Sequence, residues 1–168
     1  LAVKPQQLRE VVRPLAGRLQ QTLVISIAAG IRAADIARWL GDYRCIVRVM
    51  PNTPALVGQG MSGLFALDGV SATERARAEQ LLAAVGQTVW CAQESALDAV
   101  TAISGSGPAY VFYFLAALQQ AGEQLGFDAA TARQLALATC QGAVHLAQHS
   151  GTAFAQLQQN VMSKGGTT

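Results

Sequence analysis

"LVISIAAGIRAADIARWL" (Leu23–Leu40) decides the fold. Its first half is a nearly continuous run of β-branched and small residues, the pattern of a strand buried on both faces. Gly30 closes the run. Ile31, Ile36 and Leu40 then share one face of a short helix. A buried strand that turns through small residues into a helix is the repeating unit of an α/β layer.

The same alternation extends in both directions. Upstream, "PQQLREVVRPLAGRL" predicts a helix from about Pro5, because proline suits a first turn. Downstream, "RCIVRVM" predicts a second strand, closed by Pro51 and Pro54, and "MSGLFAL" a third. "SATERARAEQLLAAV" carries a capping box, Ser71 with Glu74, and "QTVWCA" is a last strand. The expected architecture is an α/β layer with a largely parallel sheet. After about Ser95 the β signal stops. "SALDAVTAI", "PAYVFYFLAALQQAGEQLG", "DAATARQLALATCQGAVHLAQHS" and "AFAQLQQNVM" all read as helices, with Asp128 as an N-cap and Gly126 closing the helix before it. Ala132, Leu135, Thr139, Gly142, Ala143 and Leu146 form an apolar face with small residues, suited to close packing. The expected division is therefore an α/β domain over residues 1–93 and an all-α domain over 94–168.

Composition narrows the function. The chain of 168 residues is 51% hydrophobic and 13% charged. A sizeable core is affordable, and so sparse a charge favours an oligomer that buries a helical face. The net charge is only +2, without a basic run or an aromatic-rich stripe, which argues against nucleic acid. The "VFYFLAAL" run is far short of the roughly 20 residues of a bilayer span, so no membrane segment is expected. Cys45, Cys91 and Cys140 are an odd count without close spacing, which reads as free thiols in a reducing cytoplasm.

Several motifs invite misreading. "GQGMSG" places Gly58, Gly60 and Gly63 in the G-x-G-x-x-G pattern, but they run towards a strand, whereas a pyrophosphate loop must open a helix. "HLAQH" sets His145 and His149 four apart, yet Leu146 stands where a metalloprotease would need Glu and no third ligand follows, so no metal is expected. Neither Ser62 nor Ser106 has the glycines of a nucleophile elbow.

Four other stretches share a logic. "AVKPQ" (Ala2–Gln6), "SIAAG" (Ser26–Gly30) and "VMPNTP" (Val49–Pro54) each sit where a strand gives way to a turn. In a parallel sheet such ends open on one edge, and ligands bind in that crevice. Ala28, Ala29 and Gly30 would let a flat ring approach the backbone, and Lys4 could meet a phosphate or ribose. Ordinary strand-to-helix turns are the alternative. The fourth stretch, "NVMSKGGTT" (Asn160–Thr168), offers backbone donors and hydroxyls with little bulk, suited to a small anion such as a carboxylate, or else a plain C-terminal tail.

Together with "DAVTAISGSGPAYVF", these stretches stand in the order and spacing found in pyrroline-5-carboxylate reductases, and the chain resembles that family over nearly its whole length. The resemblance implies a Rossmann domain followed by a helical dimerisation domain. The implied enzyme is a cytoplasmic one of proline biosynthesis that reduces 1-pyrroline-5-carboxylate to L-proline with NADP or NAD as the cofactor couple. It places Val3, Lys4, Ala29, Asn52 and Asn160 at the cofactor. It places Ser163, Gly165, Gly166 and Thr168 at the substrate, with Thr168 as the hydroxyl near the ring nitrogen. "SGSGPAY" (Ser104–Tyr110) is expected to break one helix and start another, with Pro108 in its first turn, Ser104 or Ser106 as cap, and Ser106 near substrate; a packing kink is the alternative.

Two departures from the family pattern stand out. Lys164 occupies a position that is usually proline. The first βαβ unit, which needs roughly 30 residues or more, does not precede Leu1, so this stretch alone is expected to bind cofactor poorly and to be inactive. The competing readings are a related hydroxyacid or imine dehydrogenase, with Asp98 as its catalytic candidate, and a non-catalytic helical oligomerisation module.

Overall fold

The computed structural model describes residues 1–162. The described backbone divides between Ala109 and Tyr110 into two compact units. In the first, α1 (Pro5–Val12), β1 (Val24–Ser26), α2 (Ala33–Trp39), β2 (Ile46–Met50), β3 (Gly60–Ala66), α3 (Ala72–Ala83) and β4 (Gly86–Trp90) follow in order. A short α4 (Ala96–Val100) and a π-helical turn (Thr101–Gly105) come next, and α5 (Gly107–Gln124) follows.

The four strands lie in sequential order, β1-β2-β3-β4. β1 and β2 are parallel, as are β3 and β4, but β3 runs antiparallel to β2. The expectation of a parallel sheet is corrected at that one step, and the cause is the length of the connection. Pro51–Gln59 is all that joins β2 to β3, and most of it is a tight 3₁₀ segment, Thr53–Val57. A parallel return needs a crossover of about a dozen residues or more, usually a helix. Where such helices exist, α2 between β1 and β2 and α3 between β3 and β4, the pairs are parallel.

Both sheet faces are covered, which is why the strands read as apolar runs rather than alternating ones. Ile46 and Val24 pack with Leu8 and Val12 of α1 and with Ala33, Ile36, Ala37 and Leu40 of α2 and its end. On the other face Val47, Val49, Leu64 and Ala66 pack against Ala78 and Leu82 of α3. The register opposes Val47 to Ala66 and Val49 to Leu64, so these pairs share a face. α4 joins the first unit by lying on β3. A Cβ on Gly63 would come within 2.8 Å of Val100 and 3.0 Å of Leu97, so only glycine permits that approach.

Within "SGSGPAY" the π-helical turn ends at Gly105, Ser106 forms a bend, and α5 starts at Gly107 with Pro108 in its first turn, as expected, while the helical run carries on through the bend. Ser106 N–H donates to the Thr101 carbonyl over 2.8 Å, a five-residue loop in the ladder. The helix is continuous from Ala96 to Gln124, 29 residues. Ser104 is no cap: its hydroxyl accepts from Asn52 and donates to the Met61 carbonyl. The expectation that no window reaches spanning length is corrected, in length and composition only. Because the π turn keeps the helix intact, Ala96–Gln124 is long and apolar enough, by length and composition alone, to cross a bilayer.

In the second unit α6 (Ala129–Ser150) and α7 (Phe154–Val161) follow α5. Asp128 caps α6, accepting from the N–H groups of Ala130 and Thr131. α5 and α6 meet through small residues, with the Cβ position of Gly122 only 3.0 Å from Ala132. Of the apolar face expected on α6, Ala132 is buried, joined by Ala136, while Leu135, Thr139, Gly142, Ala143 and Leu146 are exposed. On α5, Phe112, Tyr113 and Phe114 are 63, 81 and 56% exposed, too much aromatic surface to leave in water without a partner.

Candidate functional site

The strand ends do gather on one edge. Leu1 continues the sheet beside β1: its amino group donates to the Ile25 carbonyl at 2.6 Å, and Ile27 N–H donates to the Leu1 carbonyl at 3.1 Å. That pair of bonds is the parallel pattern. The chain then enters α1 at Pro5, with Lys4 exposed at its start. β1 and β2, parallel to it, end at Ser26 and Met50 on the same edge. Val3 and Lys4, the Ala28–Gly30 loop and Asn52 therefore all leave the sheet there.

The loop after β1 is bare where a ring would have to lie. Ala29 and Gly30 are exposed, and Gly30 has the left-handed φ of +75°. Among the described residues, nothing lies within 4 Å of where a Cβ on Gly30 would stand. Ser26, fully buried beneath, accepts from Ala28 N–H over 3.4 Å and steadies the first step of the turn. The residues present thus fit a flat aromatic cofactor ring laid on the sheet edge.

Asn52 is more occupied than its sequence position suggested. Its Nδ2 donates to the carbonyl and hydroxyl of Ser104, at 3.1 and 3.2 Å, and its Oδ1 accepts from Met61 N–H at 2.8 Å. It ties the exit of β2 to the start of β3 and to the π turn. Gly105 completes the fit, since a Cβ there would lie 2.8 Å from the Met50 methyl. Ser106 sits half-buried at the end of the turn.

Sequence reasoning missed two residues at this edge. Arg48 in β2 is buried to 8% exposure and forms an ion pair with Glu94, Nη1 to Oε1, at 2.8 Å. The same carboxylate oxygen accepts from Ala33 N–H at 2.7 Å, capping α2. Above the pair is a cavity of about 320 Å³ lined by Gly30, Arg32, Arg48, Glu94, Ser95 and Asp98. The signal was present in "IVRVM": an arginine inside an otherwise apolar strand must find a buried partner.

The remaining candidates lie elsewhere or beyond the described residues. Asn160 is on α7 in the second unit, exposed, and its Oδ1 accepts from Gln156 at 2.9 Å. Ser163, Gly165, Gly166 and Thr168, with Lys164, lie outside the described residues. Gly58, Gly60 and Gly63 run into β3 rather than a helix, so no pyrophosphate loop forms there. His149 Nδ1 lies 2.8 Å from the His145 carbonyl in the same helix. Among the described residues, no group of three or more His, Cys, Asp and Glu is placed to hold a metal ion.

A second polar cluster occupies the opposite edge of the sheet. Glu74 closes the capping box, its Oε2 accepting from the Ser71 N–H and hydroxyl, both at 2.7 Å, while its Oε1 accepts from the Cys45 thiol at 3.0 Å. Those hydrogen bonds, Ser71 foremost, hold Glu74 down at about 2, and burial followed by the Glu74 contact pushes Cys45 up to about 11.

Comparison with known proteins agrees with this layout. Residues 94–168 match the pyrroline-5-carboxylate reductase dimerisation family. A pyrroline-5-carboxylate reductase of Pseudomonas aeruginosa is 49% identical over 169 residues, covering 100% of this chain and 62% of that protein. The crystal structure of a pyrroline-5-carboxylate reductase from Coxiella burnetii superposes with a TM-score of 0.92 at 44% identity, over 99% of this chain and 63% of that one. The Plasmodium falciparum pyrroline carboxylate reductase, solved with NADP bound, gives 0.90 at 33% identity, over 98% of this chain and 66% of that one. The chain thus spans about 62% of the length of its bacterial relative. Residues 94–168 belong to the pyrroline-5-carboxylate reductase dimerisation family, and the chain over its whole length is similar to pyrroline-5-carboxylate reductases in sequence and in fold.

Proposed function

We propose that the full-length protein reduces 1-pyrroline-5-carboxylate to L-proline with NADPH or NADH, the last step of proline biosynthesis, as a cytoplasmic homodimer or higher oligomer. The observation that carries this is the 49% identity extending across the whole chain, edge loops included. NADP in the Plasmodium relative supports the cofactor class. Three free thiols, Cys45, Cys91 and Cys140, suit a reducing compartment.

The bound dinucleotide would supply the hydride. The residues of this chain would bind and orient. Val3 and Lys4 would flank the dinucleotide, Ala29 would leave its backbone open to the nicotinamide ribose, and Asn52 and Asn160 would complete the cofactor set. Ser163, Gly165 and Gly166 hold the substrate carboxylate, with Ser106 nearby, and the Thr168 hydroxyl bonds the ring nitrogen. An imine that enters protonated is already electrophilic, so no strong general acid is required. Alignment is then the main contribution, up to about 7–11 kcal/mol at its limit.

Residues 94–168 form the dimerisation and substrate half in this reading, and residues 1–93 the dinucleotide half. The exposed aromatic row of α5 and the uncovered face of α6 would be the dimer surface, which accounts for a spanning-length apolar helix without a membrane. No nucleic acid takes part. The test is NADPH oxidation by the full-length protein with 1-pyrroline-5-carboxylate, alongside a 2-keto acid and light scattering for mass. Turnover of the imine by a dimer or larger assembly supports the proposal. Turnover of the keto acid alone, or none, refutes it.

A further inference from the structure

The buried Arg48–Glu94 pair has no part in the chemistry above, and its position is unusual. Arg48 comes from the middle of β2 and is 9% exposed at its side chain, and Glu94 from the link between β4 and α4 is 21% exposed. A buried pair of this kind contributes little net stability compared with a packed apolar pair, so its retention calls for another reason. The hydrogen bonds of Glu94 supply one. Glu94 Oε1 accepts from both Arg48 Nη1 and the backbone N–H of Ala33, at 2.8 and 2.7 Å. Ala33 is the first residue of α2 and lies three positions after Gly30. One carboxylate oxygen therefore fixes the far end of the bare Ala28–Arg32 loop to the sheet.

Side chains hold only part of that loop: Ala28 is buried in the core and Ile31 packs against it. Ala29, Gly30 and Arg32 are exposed, Ile31 is only partly buried, and Gly30 is left-handed. Side-chain packing cannot set its path without covering the backbone that a ligand must reach. We infer that Glu94, itself oriented by Arg48, is a positioning residue that sets the Ala28–Arg32 loop for the dinucleotide through its hydrogen bond to Ala33 N–H.

This rests on the proposed function, and the experiment keeps the two apart. Dinucleotide Kd, by quenching of tryptophan fluorescence, and steady-state kinetics are measured on the full-length wild type, Glu94→Ala and Glu94→Gln. Glu94→Ala is expected to raise Kd and KM for the dinucleotide by about tenfold or more, with kcat changed by less than about threefold. Glu94→Gln keeps an oxygen for Ala33 N–H and is expected to restore most of that loss, although it no longer pairs with Arg48 as an ion. A role in stability alone would lower Tm in both variants and leave Kd and KM unmoved, which overturns the inference. So does a Glu94→Gln no better than Glu94→Ala. If Glu94→Ala does not fold, Glu94→Asp takes its place, since a carboxylate one methylene shorter cannot reach both partners and is expected to weaken dinucleotide binding likewise. A wild type that binds dinucleotide but does not turn over the imine refutes the proposed reaction and leaves this test intact.

Discussion

Replacing Asn52 with alanine removes a clamp rather than a surface amide. The side chain makes three hydrogen bonds: Nδ2 to the Ser104 carbonyl at 3.1 Å, Nδ2 to the Ser104 hydroxyl at 3.2 Å, and Oδ1 from Met61 N–H at 2.8 Å. A net contribution of about 1 kcal/mol each, with Met61 N–H stranded in a part-buried place, gives a loss of about 2–4 kcal/mol. For a domain of this size that is a fall in Tm of roughly 5–15 °C, at matched protein concentration. Hydrogen exchange reads the same event locally, because Met61 N–H loses its acceptor and should exchange at least about tenfold faster. Asn52→Asp is the sharper control. It keeps an acceptor for Met61 but sets a carboxylate oxygen against the Ser104 carbonyl, so it should be no more stable than the alanine variant. If Asn52→Ala melts within about 2 °C of wild type with Met61 exchange unchanged, the clamp is wrong. A raised dinucleotide KM in that same stable variant would leave Asn52 with its proposed cofactor contact alone.

Three further outcomes follow from the geometry. Gly86→Ala should cost more than about 3 kcal/mol in urea unfolding, because φ there is +145° and a Cβ would lie 2.0 Å from the Gly60 carbonyl oxygen, with no side chain able to yield. Glu74→Gln should make stability less pH-dependent in acid. Glu74 is held at about 2 in the folded chain, below its ordinary 4.5, so its contribution is complete above about pH 5 and lost as pH falls towards 2. The wild-type advantage over Glu74→Gln should shrink over that window, and an advantage that grew with acidity would refute it. Cys45, pushed up to about 11, should react with iodoacetamide at pH 8 about tenfold more slowly than a free thiol. Its thiolate is roughly 100-fold scarcer, and the greater nucleophilicity of a high-pKa thiolate offsets about half of that on a logarithmic scale.

What the sequence made legible was local. The capping box of Ser71 and Glu74 and the Asp128 cap act over three residues, so their letters are enough. The strand ends on one edge followed from periodicity and the turns after each run. The antiparallel step was also legible in principle, since the stretch from Pro51 to Gln59 is too short for a crossover, but strand period alone does not carry direction. The π turn was not. "SGSGPAY" reads as a break because glycine, serine and proline disfavour a helix interior. It stays helical because Asn52, Met50 and Met61, all more than forty residues away, supply bonds and a close fit that no local rule contains.

The two polar ties at the ligand edge have a common cause. A loop that must present bare backbone to a ring cannot be held by large side chains, because these would occupy the ring's place. Ala28, Ala29 and Gly30 satisfy the first need and leave the second unmet. Glu94 meets it for the loop after β1, reaching Ala33 N–H from the β4–α4 link, and Asn52 meets it for the loop after β2, reaching Met61 and Ser104. Both ties draw on the segment between β4 and α5. The helix that leads into the second unit is thus bonded to the same loops that form the sheet's open edge. A change that loosens either loop should therefore disturb the π turn as well. Loss of Asn52 would be felt first at Ser104, and loss of Glu94 first at the start of α2.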